Sequence, residues 1–295
     1  MVNDETGQFL MSNPSSEFHE FRPGIVEVFC LVVPPRFRDL PVTLEHASRV
    51  LTEDEQSRFQ KYRVQHRRND LYLSRIMFKL IMQRLTGKPN TPMWIEAGNF
   101  GKPHVMSGLG PASIHVNTSN TAGMILWVLS LNGPIGCDVE VIAKDLDEVA
   151  AHHFAPSELA SYRTLADMEK THRFYETWTM KEAIIKADGR GLGIPLDSFA
   201  CRFNHEEYQS SVELDVIDLE QGPRPKPWNF LSFRPTETHQ VAVASSTSQE
   251  VSFNCHRLIF DEDVLELDKP WRFLVNSTDS REGHDQDFGV FHSIG

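Results

Sequence analysis

The stretch Trp178-Thr-Met-Lys-Glu-Ala-Ile-Ile-Lys-Ala-Asp-Gly-Arg-Gly191 sets a carboxylate, Glu182, and an amine, Lys186, four residues apart inside an apolar helical pattern. Residues at that spacing share one helix face, and Trp178 lies one turn earlier on the same side. Such a pair on its own reads as a surface ion pair worth a few tenths of a kcal/mol. About forty residues upstream, Ile135-Gly-Cys-Asp-Val-Glu-Val141 is a short apolar run with two acids at alternate positions. As a strand it directs Asp138 and Glu140 to the same side. Two carboxylates on one face repel unless a cation sits between them or water solvates them. With Glu182 they form three hard oxygen ligands on two rigid elements, a set suited to Mg²⁺. A solvated strand face is the alternative that spacing leaves open.

Composition bounds the remaining classes. The chain has 295 residues, 40% of them hydrophobic, which suffices for a core in one large or two ordinary domains. Cys30, Cys137, Cys201 and Cys255 are far apart with no C-x-x-C, so neither a zinc site nor a disulfide framework is expected, and a reducing cytoplasm fits. The first residues lack basic and apolar leader segments and no apolar run approaches membrane-spanning length, so neither secretion nor membrane association is expected. Net charge is −12, but it is divided unevenly: residues 1–134 carry 14 basic and 12 acidic residues, the remainder 15 and 29. Nine basic residues against Asp70 alone fall within 58–88, which reads as a solvated face or as a surface for phosphates or an acidic protein. Nucleic acid is disfavoured by the acidic whole and by the absence of interleaved aromatic residues.

Along the chain, residues 1–23 read as a mobile tail and 276–295 as a disordered one. Ile25 to Val33 reads as a buried strand. Helices are expected over Thr43 to Leu51, after a capping box at Thr52 and Glu55, and from His66 to Leu85 with Gly87 ending the last. Strands follow at Ile114 to Asn117, Met124 to Ser130 and Ile135 to Ile142. A helix starts near Pro156, a long one spans Thr171 to Asp188, and strands recur near Ser198 to Phe203, Val212 to Ile217, Phe230 to Phe233 and Val241 to Ala244. The fold class is α+β, with a lobe over 24–134 and a second over 135–275. Gly189 to Gly193 reads as a helix cap and turn rather than a phosphate loop, because it follows a helix. His152 and His153 diverge on a helix and have no second ligand pair nearby, and Trp178 reads as core.

The segments GCDVE, FAPSELASY and FYETWTMKEAIIKADGRGLGIPLDSF, in that order, resemble the signature of the 4′-phosphopantetheinyl transferases, specifically the larger, monomeric surfactin-type group. The likeness is dense from Asn99 to about Phe203 and includes a Gly101-Lys102-Pro103 turn. It implies two pseudo-symmetric α+β lobes meeting at a cleft. The implied activity is that of an enzyme of holo-[acyl-carrier-protein] synthase type. This moves the 4′-phosphopantetheine of coenzyme A to a serine of an acyl or peptidyl carrier protein of fatty acid, polyketide or nonribosomal peptide synthesis. Mg²⁺ held by Asp138, Glu140 and Glu182 would neutralise pyrophosphate charge, with Lys186 pointing at the same phosphates. The resemblance places Lys102 and Ser119 on phosphates of coenzyme A, Arg67 or Arg68 on its 3′-phosphate, and a carboxylate base at Glu158, with a metal-bound water or Lys186 as the alternative base. One position departs: the family's histidine after the serine is Asn120, an amide that can donate a hydrogen bond but adds no charge. A coenzyme A-binding protein without transferase activity, and a docking protein for acidic partners, are the rival readings.

Overall fold

The computed structural model describes residues 21–273 apart from 39–41, 87–92, 98–102, 108–109, 144–145, 207–208, 225–226, 262–263 and 268–270. Residues 1–20 of the expected first tail, the expected tail 276–295, the end of the first long helix at Gly87, and Lys102 lie outside the described residues.

Strand β1 (Ile25–Val32) is followed by α1 (Pro35–Arg38), α2 (Leu44–Ser48), α3 (Glu53–Lys61) and the long α4 (Gln65–Thr86). Thr52 and Glu55 cap α3 reciprocally, the Thr52 hydroxyl accepting from the Glu55 amide and the Glu55 carboxylate from the Thr52 amide. Four strands come next: β2 (Met93–Ala97), β3 (Pro103–Ser107), β4 (Gly110–Thr121) and β5 (Met124–Ser130). The second half repeats the plan. Strand β6 (Ile135–Val141) leads through α5 (Asp147–His153) and α6 (Pro156–Arg163) to α7 (Asp167–Asp188), then β7 (Phe199–Glu206), β8 (Gln209–Val216), β9 (Trp228–Thr236) and β10 (His239–Ser246). Helix α7 starts four residues before its expected Thr171, where Glu169 reaches back to the Ala166 amide. Met168 there is 67% exposed, so no apolar periodicity marks the first turn.

Three strands that periodicity did not predict come last among the described residues: β11 (Ser252–Asp261), β12 (Val264–Leu267) and β13 (Trp271–Phe273). They join the sheet of the first half, ordered β12-β11-β1-β5-β4-β3-β2 with β13 also on β11, while β6-β10-β9 form a second sheet. The span expected for the second lobe, 135–275, thus includes strands hydrogen-bonded into the first lobe's sheet, with β1 and β11 running parallel.

Period-two alternation sorts the side chains into layers. Phe29 and Leu31 of β1 pack with Trp127, Leu73, Met77 and Phe78 under α4. Val26 and Val28 face the other way and meet Cys137, Val139, Val241 and Val243 of the second sheet. Ala242 and Ala244 then face α7 through Met180, Ala183, Ile184 and Ala187. The order is helix, sheet, sheet, helix, an α+β architecture with one 22-residue helix on each outer face. Strands β5 and β10, covered on both sides, are buried along their whole length. No described helix is long and apolar enough to cross a membrane.

Candidate functional site

Strand β6 turns Ile135, Cys137 and Val139 toward the other sheet, leaving Gly136, Asp138 and Glu140 on the face that meets α7. Contact there requires glycine. A Cβ at Gly136 would lie 2.1 Å from the Ala183 carbonyl oxygen and 2.4 Å from the Ala187 amide nitrogen. The helix backbone therefore rests directly on the strand, and this brings Lys186 to Asp138, Nζ to Oδ1, at 2.6 Å. From β4, the Ser119 hydroxyl donates to the same Oδ1 at 2.8 Å, and the Thr121 hydroxyl sits 3.4 Å from Glu140 Oε2. Residues two apart on β4 thus serve acids two apart on β6. Thr121 was not expected; the alternation that pairs it with Ser119 was the available signal.

The charges leave a surplus. Burial, reinforced by the charge of Asp138, pushes Glu140 up to about 7 despite the attraction of Lys186. Burial likewise raises Glu182, with Lys186 opposing and Asp138 adding to the shift. Burial alone would lower the Lys186 ammonium, but Asp138, by charge and by hydrogen bond, holds it above its usual range. Asp138 Oδ2 is buried with no hydrogen-bond partner. An orphaned buried carboxylate oxygen beside two strained acids fits a divalent cation. Among the described residues, no three acids, histidines or cysteines already form a closed ligand set. The structure thus brings Asp138, Glu140, Glu182 and Lys186 into one electrostatic group, with Lys186 occupying the oxygen of Asp138 that points at it.

Other expected residues lie elsewhere. Glu158 does not suit a free base, which corrects the expectation. One of its oxygens accepts from the Cys201 amide at 2.7 Å, the other from the Ala155 amide and from Lys181 Nζ, both at 2.8 Å. Lys181 is fully buried and also donates to the carbonyls of Leu196 and Phe199. A carboxylate holding three donors at a buried position is a structural clamp. Asn120 faces away from Ser119, as alternation demands, and its amide donates to Asp70 of α4 at 3.4 Å. Arg68 donates to the Tyr62 carbonyl and lies over Phe59, while Arg67 is exposed. Arg75, counted in the basic stretch, turns inward to Glu55 and over Trp127, so the accessible part of that stretch is smaller than its sequence suggests. Trp178 stacks on Phe174 in the core, with His153 edge-on to it. Gly189 caps α7 at φ 92°, and Arg190 binds Asp188.

A cavity of about 750 Å³ runs from Ile185, Lys186 and Gly189 to the first turn of α3 and to β2; of the Asp138, Glu140, Glu182 and Lys186 group, Lys186 alone is among its described lining residues. Neither arginine expected on a phosphate, Arg67 or Arg68, is among its described lining residues.

Residues 134–244 match the model of the 4′-phosphopantetheinyl transferase superfamily. Over 181 residues the chain is 26% identical to 4′-phosphopantetheinyl transferase Sfp of Bacillus subtilis, covering 60% of this chain and 79% of that protein. A second 4′-phosphopantetheinyl transferase of Bacillus subtilis is 30% identical over 149 residues, 50% of this chain and 60% of the relative. The 4′-phosphopantetheinyl transferase HetI of Nostoc is 26% identical over 204 residues, 68% and 81% respectively.

Proposed function

We propose, for a chain that belongs to the 4′-phosphopantetheinyl transferase superfamily, that it transfers the 4′-phosphopantetheine group of coenzyme A to a serine of a carrier protein. The observation that carries the reading is the Asp138–Lys186 pair with its surrounding acids, of which Lys186 lines a cavity large enough for a nucleotide-sized ligand.

Each residue has a separate task. Lys186, held between α7 and β6, offers a fixed ammonium to the pyrophosphate, and its charge is retained at working pH because Asp138 favours it. Ser119 orients Asp138, and Thr121 orients Glu140. Asp138, Glu140 and Glu182 would hold Mg²⁺, which when bound would supply neutralising charge as the pyrophosphate bond breaks. The Glu182 carboxylate makes no hydrogen bond among the described residues and stands as the acid able to take the serine proton, in place of Glu158. Little covalent chemistry is asked of the protein beyond positioning. Acyl or peptidyl carriers of fatty acid, polyketide or nonribosomal peptide synthesis are the proposed partners. The chain is proposed to work as a cytoplasmic monomer, a setting in which four free, buried thiols stay reduced.

Incubation with coenzyme A, Mg²⁺ and an apo carrier, followed by intact-mass measurement, tests the reading. A gain of one phosphopantetheine on the carrier is expected. Coenzyme A binding without a gain would instead support the non-catalytic reading, for which Asn120 against Asp70 is the favouring observation. Carrier binding without either would support a docking protein.

A further inference from the structure

We infer that Asn117 is a positioning residue for the acids of β6: its side-chain oxygen holds the open edge of that strand and so sets where Asp138 and Glu140 stand. The inference rests on the transferase reading only for what those acids hold. Among the described residues β6 pairs along one edge, with β10, and ends the second sheet. Backbone groups of successive strand residues point to opposite edges. The Ile142 amide donates to the Thr238 carbonyl on the β10 side, so the Cys137 amide, an odd number of residues away, points to the open edge. Asn117 of β4 receives it. Its Oδ1 accepts from the Cys137 amide at 3.1 Å and lies 3.5 Å from the Cys137 thiol. An N–H donor can meet the oxygen of that side chain but not its nitrogen, so the orientation of the Asn117 amide is fixed. Cys137 is fully buried and Asn117 is 5% exposed, which leaves the Cys137 amide dependent on this acceptor.

Asn117 is the first of three alternate β4 residues that reach β6. It meets Cys137, the Ser119 hydroxyl donates to Asp138 at 2.8 Å, and the Thr121 hydroxyl sits 3.4 Å from Glu140. The first bond alone is made to backbone. It fixes the separation of the two strands, and the two hydroxyl contacts depend on that separation. The Thr121 contact is already near the limit for a hydrogen bond, and Asp138 Oδ1 is shared between Ser119 and Lys186. A small outward movement of β6 therefore releases Glu140 and turns the Asp138 carboxylate. Groups that orient metal ligands without touching the metal commonly govern its affinity by about 10- to 100-fold, and Asn117, acting through backbone, belongs at the lower end. Asn117 also lines the cavity, so direct contact with a bound ligand is the competing role. The two roles predict different losses.

Calorimetric titration of the full chain with Mg²⁺ in the absence of coenzyme A tests the inference, with thermal melts and transfer kinetics of each variant alongside. Asn117→Ala is expected to raise the Mg²⁺ Kd by about tenfold, the equivalent of roughly 1.4 kcal/mol. Asn117→Asp keeps an acceptor oxygen at the same reach and should bind Mg²⁺ within about threefold of the unaltered chain, or more tightly. Tyr162→Phe removes a hydrogen bond to Asp147 in the aromatic cluster of α5, α6 and α7, and should lower Tm while leaving the Kd unchanged. Should the alanine variant not fold, Asn117→Ser takes its place with the same expectation, its hydroxyl being one bond shorter. An unchanged Kd in the alanine or serine variant, a tenfold loss in Asn117→Asp, or an equal loss in Tyr162→Phe would overturn the inference. So would a raised coenzyme A KM with unaltered Mg²⁺ affinity, which would make Asn117 a ligand contact, or an unaltered chain that binds no Mg²⁺. Absence of carrier mass gain in an unaltered chain whose Mg²⁺ binding is weakened by Asn117→Ala would refute the transferase reading and leave the positioning role standing.

Discussion

Lys186 Nζ and Asp138 Oδ1 lie 2.6 Å apart, an ion pair that joins the last turns of α7 to the middle of β6 and leaves the second Asp138 oxygen unmet. Neither element alone could define the site. The pair fixes where the helix ends relative to the strand, and Ser119 locks the same oxygen from the neighbouring sheet.

Removing either Asp138 or the neighbouring acid Glu182 should stop turnover more than it disturbs the fold. Asp138→Ala and Glu182→Gln are expected to lower kcat/KM by at least about 100-fold, since uncompensated transition-state charge costs several kcal/mol. Carrier mass gain against circular dichroism of each variant checks this. Near-normal rates in either would remove that acid from the site.

Glu140 gives a pH prediction whose sign follows from its raised pKa. The folded protein holds this proton up to about 7, whereas an unfolded carboxyl releases it near 4.5. The fold therefore carries no penalty below that lower value, gains one as pH rises through this window, and bears it fully above 7. After allowance for solvent screening at a half-buried group, the penalty is roughly 1 kcal/mol. Glu140→Gln should raise Tm at pH 8 without metal and have no such effect at pH 4. Addition of Mg²⁺ at pH 8 should stabilise the unaltered chain and not the variant. Thermal melts at the two pH values decide.

Glu158 separates a clamp from a base. Glu158→Ala leaves the Lys181 ammonium buried without its partner and should cost about 3–5 kcal/mol, whereas Glu158→Gln keeps an acceptor and should cost less. Turnover per folded molecule should stay within about threefold in the glutamine variant, because general-base loss would remove 100-fold or more. Urea unfolding paired with rates distinguishes the two.

Gly136→Ala tests the strand–helix contact. A methyl group there meets the Ala183 carbonyl, so α7 must shift, with a cost of about 1–3 kcal/mol. Loss of turnover should exceed loss of stability, since the shift moves Glu182 and Lys186 together. The ratio of the two effects is the measurement.

Local signals were legible. The capping box at Thr52 and Glu55 is written in four residues, and alternation in β6 placed Asp138 and Glu140 together before any contact was known. The same rule, applied to β4, would have separated Ser119 from Asn120. The engagement of Glu158 depends on Lys181 and Cys201, 23 and 43 residues away, and no periodicity reports a pairing over that distance. Strand β11 was missed for a related reason: its parallel partner β1 precedes it by more than two hundred residues.

That parallel pairing ties two strands more than two hundred residues apart. Strand β1 has β5 on one side and β11 on the other, so during synthesis its second edge stays open until residues near 258 have left the ribosome. The first lobe is consequently not a unit that can be expressed, exchanged or grafted by cutting at residue 134. Truncation before Ser252 should yield a chain that aggregates through an exposed strand, while a circular permutant opened in the exposed turn at Glu237 and Thr238 keeps the pair and folds.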